Sequence, residues 1–221
     1  MHTKFLTNSG FMLDVSSDKY DISLEDIAKG LSSIFRNAGQ APLLVSVAEH
    51  CLLVSDLIKL HAPTAYYVQL FGLLHDCDEV LTRDIPSGVK NDIRIKYLGN
   101  EDFGRCYRDN ILSSIFSKFG LNNETISLMR EHKAIEAVKA EDNLAYYMEM
   151  LAQPQTIFKE KMLEHIKEQE TCRHLDDSEL DLLMSFEDRL KRLSKLTLDS
   201  RVKYVKETFI SQFKNIIGHL Q

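Results

Sequence analysis

The residues best suited to chemistry are His75, Asp76 and Glu79, within the run Leu73-Leu74-His75-Asp76-Cys77-Asp78-Glu79. On a helix running from about Ala65, His75 and Glu79 are i and i+4 and Asp76 and Glu79 are i and i+3, so three ionisable side chains share one sector. Their neighbours Val68, Phe71, Gly72 and Leu74 are apolar or small. Two carboxylates beside an imidazole on such a face repel each other unless something positive lies between them. A divalent metal is the simplest candidate.

Two further residues join them. Ser46-Val47-Ala48-Glu49 is a capping box that starts a helix at Val47 and turns His50 inward among Val47, Leu53 and Val54. A lone inward histidine is more often a satisfied core residue than a ligand, so its company matters. Farther along, Ile135, Val138, Asp142, Ala145 and Glu149 recur at helical spacing. Asp142 thus interrupts an apolar stripe and needs a cation nearby, either a metal or Lys139. His50, His75, Asp76 and Asp142 together offer two imidazoles and two carboxylates from three helices. That mixed set suits one divalent ion, Mn, Co, Mg, Fe or Zn, with positions left for water and a substrate oxygen.

The elements that must position these groups are mostly helical, because glycine and proline are sparse, at 9 and 4 of 221 residues. A short hairpin is expected at Phe5 to Thr7 and Phe11 to Val15, turning at Asn8-Ser9-Gly10. Ser23 N-caps a helix that ends near Arg36 to Gly39, and Arg36 leaves that end as either a solvated cation or a group facing the loop Asn37 to Pro42. The helix of His50 runs to about Leu60. After Pro86 a loop carrying Lys90 leads into a polar stretch from Asn91 to Asp102. Helices follow at about Phe103 to Phe119 and Glu124 to Leu151, the latter broken near His132, a histidine read as peripheral. Gln153-Pro154-Gln155 then marks a shift to charge-rich helices at Thr156 to Glu170, Asp177 to Leu193 and Leu198 to Leu220. The expected organisation is a core over residues 1–152 and a helical extension over 153–221, packed on the core or pairing subunits as a homodimer.

The net charge of -6 disfavours long nucleic acid as a partner while leaving room for a local anion pocket. Cys51, Cys77, Cys106 and Cys172 lack C-x-x-C spacing and read as reduced packing thiols. No run is apolar enough for a signal peptide or a membrane span, so a cytoplasmic location is expected.

The order H…HD…D is the signature of the HD-domain metal-dependent phosphohydrolases, which this chain resembles. Leu24-Glu25-Asp26-Ile27-Ala28, Ser46 to His50, Leu74-His75-Asp76-x-x-Glu79-Val80-Leu81-Thr82-x-Asp84-Ile85-Pro86-x-x-Val89-Lys90 and Val138-Lys139-x-x-Asp142 are similar to the branch containing the 5'-deoxynucleotidases. The resemblance covers roughly Asp21 to Leu151 and implies the all-α HD-domain helical fold. It also implies His50, His75, Asp76 and Asp142 as metal ligands, Glu79 acting on the attacking water or leaving group, Asp84 beside the nucleotide, and Arg36 on the phosphate. The family's nucleotidases often place a tryptophan or a glycine-histidine pair after that arginine. Here Asn37-Ala38-Gly39-Gln40 follows, in a chain without tryptophan.

The implied activity is hydrolysis of a (deoxy)nucleoside monophosphate to nucleoside and phosphate. Arg36, with Lys90 as a weaker candidate, would balance charge on the phosphate, and Glu79 would move the water's proton. A deoxynucleoside triphosphate triphosphohydrolase or pyrophosphohydrolase is the alternative, and a nucleotide-sensing regulatory module the second. A triphosphate needs more cations than Arg36, Arg83, Lys90 and Lys139, which favours the monophosphate.

Overall fold

Ser46 opens the helix on which the rest is built. In a computed structural model describing residues 4–10, 12–17, 20–97, 104–121, 123–129, 131–168 and 174–221, the Ser46 hydroxyl accepts the Glu49 N–H. The Glu49 carboxylate accepts the Ser46 N–H in return, and this capping box begins α2 (Val47–His61). Nearly every side chain of α2 is buried because the helix is the wall between two apolar clusters. Val47, Ala48, Cys51 and Leu52 face α1 (Leu24–Ser33), α3 (Tyr66–Leu74), α6 (Arg105–Lys118) and α11 (Leu198–Gly218), whereas Leu53, Val54, Leu57 and Ile58 face α8 (His132–Leu151) and α10 (Asp177–Leu193). At Gly72 a Cβ would lie 2.4 Å from Ile58 Cδ1, so the glycine is what lets α3 approach α2 this closely.

The fold is all-α with a short N-terminal hairpin. Strand β1 (Lys4–Leu6) pairs antiparallel with β2 (Met12–Asp14), Phe5 opposite Leu13, and Gly10 at φ +85° makes the turn. The C-terminal stripe is core: Val205, Phe209, Phe213 and Ile216 of α11 belong to the first cluster, each fully buried phenylalanine contributing roughly 1.5–3 kcal/mol. Arg201, also on α11, donates to both Glu49 carboxylate oxygens and to the Leu44 carbonyl. It therefore fixes the start of α2, one residue before His50. Residues 123–129 form α7 (Asn123–Met129), separated from α8 near His132 as expected, and α9 (Ile157–Glu168) follows. No described helix is long and apolar enough to cross a membrane.

Three boundaries differ from the sequence reading. The helix of His75 stops at Leu74, and α4 (Glu79–Thr82) is a separate short helix, so His75, Asp76 and Glu79 do not lie on one helical face. Between them the bonds tighten, Cys77 N–H to Leu74 O and Glu79 N–H to Asp76 O, both at 3.0 Å. Helix α1 ends at Ser33 because Ile34 turns extended and Phe35 bridges to Ser46, so Arg36 stands on an extended segment beside α2. The expected loop at Lys90 and the polar stretch after Asn91 are helical as far as Tyr97, in α5 (Ser87–Tyr97), which begins where the Pro86 carbonyl accepts from Val89 and Lys90. Residue 11 of the expected second strand, residues 98–103, residues 169–170 and Cys172 lie outside the described residues, as does the side chain of His132.

Candidate metal centre

Each histidine is oriented by the bond its Nδ1 makes. His75 caps α3, and its Nδ1 lies 2.7 Å from the Gly72 carbonyl, which can only accept, so Nδ1 carries the proton and donates. His50 is fully buried in the first turns of α2, with Nδ1 donating to Glu149 Oε1 at 2.7 Å. In both rings the opposite nitrogen, Nε2, is buried without a hydrogen-bond partner. The two Nε2 atoms point at the same carboxylates. His50 Nε2 lies 2.9 Å from Asp142 Oδ1, without the alignment of a hydrogen bond, and 3.9 Å from Asp76 Oδ2. His75 Nε2 lies 3.3 Å from Asp76 Oδ2 and 3.9 Å from Asp142 Oδ1.

Lone pairs facing carboxylate oxygens repel unless a positive charge lies among them. Electrostatics says the same. Burial pushes the His75 pKa down, but Asp76 outweighs it and holds the ring well above its ordinary value. Burial and the Arg36 charge depress His50, yet Glu149 and Asp142 leave it raised. Burial would raise both acids, but Asp142 is held down at about 2 by His50 and His75, and Asp76 well below its ordinary range by His75. Such a set attracts protons or a cation, and the ligand atoms of His50, His75 and Asp142 lie within 4.8 Å of one another. The chain therefore carries a cluster able to hold a metal ion. Cys51, read as a packing thiol, lies with His75 and Asp76 in a second such group, and burial raises its pKa.

Glu149 is the residue the sequence reading left without a role. It is fully buried two turns beyond Asp142 on α8, takes the His50 proton on one oxygen and the Arg36 Nε–H on the other at 3.1 Å, and so orients His50. Its place on the Asp142 stripe was the available signal. Arg36 also lies 3.7 Å from Asp76 Oδ2, with its guanidinium 5.8 Å from the Tyr146 ring centre. Its side chain is only 14% exposed.

The other expected site residues flank the cluster. Glu79 is buried at the start of α4, one oxygen accepting from Lys90 Nζ at 2.6 Å and the other with no hydrogen-bond partner. Burial, then the Asp76 charge, push its pKa up to about 7 although Lys90 pulls the other way. Asp84 Oδ2 lies 3.4 Å from the Ala38 N–H. That contact supports a turn in which Asn37 and Ala38 hold positive φ, a conformation costing about 1–2 kcal/mol for each non-glycine residue. Lys139 makes no hydrogen bond or ion pair with Asp142. Instead it lines a cavity of about 220 Å³ with Phe71, His75, Asp76, Arg108, Ile135, Val138 and Asp142.

No protein-family model matches the chain. It is 38% identical over 73 residues to the uncharacterized protein YfdR of Escherichia coli K12, a match covering 33% of this chain and 38% of that protein. It is 34% identical over 117 residues to the uncharacterized protein RCAP_rcc00048 of Rhodobacter capsulatus, covering 51% of this chain and 56% of that one. The matched stretches thus span from over a third to just over half the length of these relatives, whose names give no activity.

Proposed function

We propose that this chain is a metal-dependent phosphohydrolase of the HD-domain kind, hydrolysing (deoxy)nucleoside monophosphates to nucleoside and phosphate. The observation that carries the reading is the pair of imidazoles whose Nδ1 atoms are tied to acceptors, so that their Nε2 lone pairs converge with Asp76 and Asp142. His50, His75, Asp76 and Asp142 would hold one divalent ion of the Mn, Co, Fe, Mg or Zn type, a set of nitrogen and oxygen donors that fits any of them. When bound, such an ion withdraws charge from a phosphoryl oxygen and lowers the pKa of water.

The chain's own residues supply the rest. Glu79 has one free oxygen and a pKa near 7, the range in which a carboxylate both takes and returns a proton at neutral pH. Lys90 keeps that carboxylate oriented from its other oxygen. Arg36 and Glu149 hold the His50 ring in one tautomer, and Asp84 steadies the turn that follows Arg36. Asp76 and Asp142, both ionised, leave no acidic proton to compete with Glu79.

The test is product analysis on metal-stripped protein re-supplied with Mn²⁺, Co²⁺ or Mg²⁺ and offered deoxy- and ribonucleotides as mono- and triphosphates. Metal-dependent orthophosphate release from the monophosphates is expected. Tripolyphosphate or pyrophosphate release from triphosphates would replace the substrate assignment, and no hydrolysis with any metal would overturn the enzyme reading.

A further inference from the structure

We propose that the substrate phosphate is received by Lys139, in the cavity bounded by His75, Asp76 and Asp142, and that Arg36 is a positioning residue. This rests on the phosphohydrolase reading and assigns the phosphate subsite of that same site. A phosphate dianion approaching Asp76, Glu79, Asp142 and Glu149 needs cationic partners whose charge is not already committed. Arg36 is committed: its Nε donates to Glu149, its Nη1 lies 3.7 Å from Asp76, and it does not line the cavity. Lys90 is committed to Glu79 at 2.6 Å and likewise stands outside the cavity wall.

Lys139 differs on both counts. It sits on α8 one turn before Asp142, is exposed, makes no hydrogen bond or ion pair among the described residues, and lines the cavity together with three of the four candidate ligands. Arg108 of α6 lines the same cavity, its Nε donating to Asp78 at 3.0 Å, so a second guanidinium is anchored beside it. Phe71, Ile135 and Val138 complete the wall. At about 220 Å³ the space is below the ~300–1,000 Å³ of a pocket that encloses a whole drug-sized ligand. It fits a phosphoryl group with part of a sugar, leaving the base outside.

The experiment measures inorganic phosphate binding to Mn²⁺-loaded full-length protein by calorimetry, for the wild type, Lys139→Gln, Lys139→Arg and the control Lys133→Gln, with KM and kcat for the best monophosphate recorded alongside. Lys139→Gln should weaken phosphate binding about tenfold and raise KM with metal content unchanged, Lys139→Arg should restore most of the binding, and Lys133→Gln should match the wild type. Phosphate affinity within twofold of the wild type in Lys139→Gln overturns the assignment, as does a wild type that binds no phosphate. Lys139-dependent phosphate binding without turnover of any phosphoester would uphold the subsite and sink the hydrolase reading. Turnover that is indifferent to Lys139 would do the reverse.

Discussion

Helix α2 carries a histidine-carboxylate cluster at each end. His50, near its start, meets Asp142, Asp76 and Glu149, while His61, its last residue, meets Glu141 and Glu179. By composition either could hold a metal, and His61, Asp176 and Glu179 also offer ligand atoms within 4.8 Å of one another. The difference lies in what each ring nitrogen faces. His61 has a carboxylate for each nitrogen, Nδ1 at 2.8 Å from Glu141 and Nε2 at 3.1 Å from Glu179, a closed ion-pair arrangement when the ring carries two protons. Glu179 and Asp176 are in addition the two halves of the capping box that starts α10. His50 and His75 instead spend Nδ1 on an acceptor and leave Nε2 buried and unbonded. The mark of a metal site is thus the orphaned lone pair with its partner nitrogen fixed behind it.

The largest effect expected from this contrast is in Asp142→Ala, which should lose tightly bound metal and all metal-dependent activity together, read by elemental analysis and turnover. Next, Glu79→Gln should keep its metal and lose roughly 10²- to 10⁴-fold in kcat, the range of a general base. Equal metal loss there would move Glu79 into the ligand set. Glu149→Gln should weaken metal binding by about 10- to 100-fold, as removal of a ligand-orienting partner does, whereas Glu141→Gln at the other cluster should leave it unchanged. His61→Ala should alter unfolding free energy by no more than about 1 kcal/mol, the scale of a part-exposed ion pair.

The smallest effect comes from a carboxylate that needs no cation at all. Asp26 is as buried as Glu79, but it accepts from the Ser9 N–H, the Ser9 hydroxyl and the Ser23 hydroxyl. Burial pushes its pKa up, and those hydrogen bonds outweigh it and leave the carboxyl below its ordinary value. A carboxylate depressed by folding contributes stability that is present above its unfolded pKa of about 3.9 and is lost as pH falls toward the folded value. Acid titration of stability should therefore be flatter below about pH 4 in Asp26→Asn than in the wild type. Equal slopes would show that Asp26 is not the carboxylate responsible.

What the sequence made legible follows from which interactions are local. The Ser46 capping box and the Ser23 cap involve neighbours three residues apart, and both helix starts stand where the pattern puts them. Asp142 was visible as a polar break in an apolar stripe, and the α11 stripe from Val202 to Ile216 is buried throughout. The misread boundaries have non-local or subtle causes. Arg36 is extended because Phe35 bridges to Ser46 across a loop, and the end of α3 is hidden because the apolar pattern continues through turns bonded i to i−3. Helix α5 escaped because Val89 and Ile95 are exposed, leaving no buried stripe to read. Glu149 lay in plain view on the Asp142 face, but its role exists only where α8 packs against α2.

The most direct measurement is equilibrium Mn²⁺ binding, followed by electron paramagnetic resonance, to the wild type, His75→Ala and His61→Ala. One tight site per chain that vanishes in His75→Ala and persists in His61→Ala is the predicted result. Tight binding retained in His75→Ala and lost in His61→Ala would place the metal at the wrong end of α2 and contradict the account.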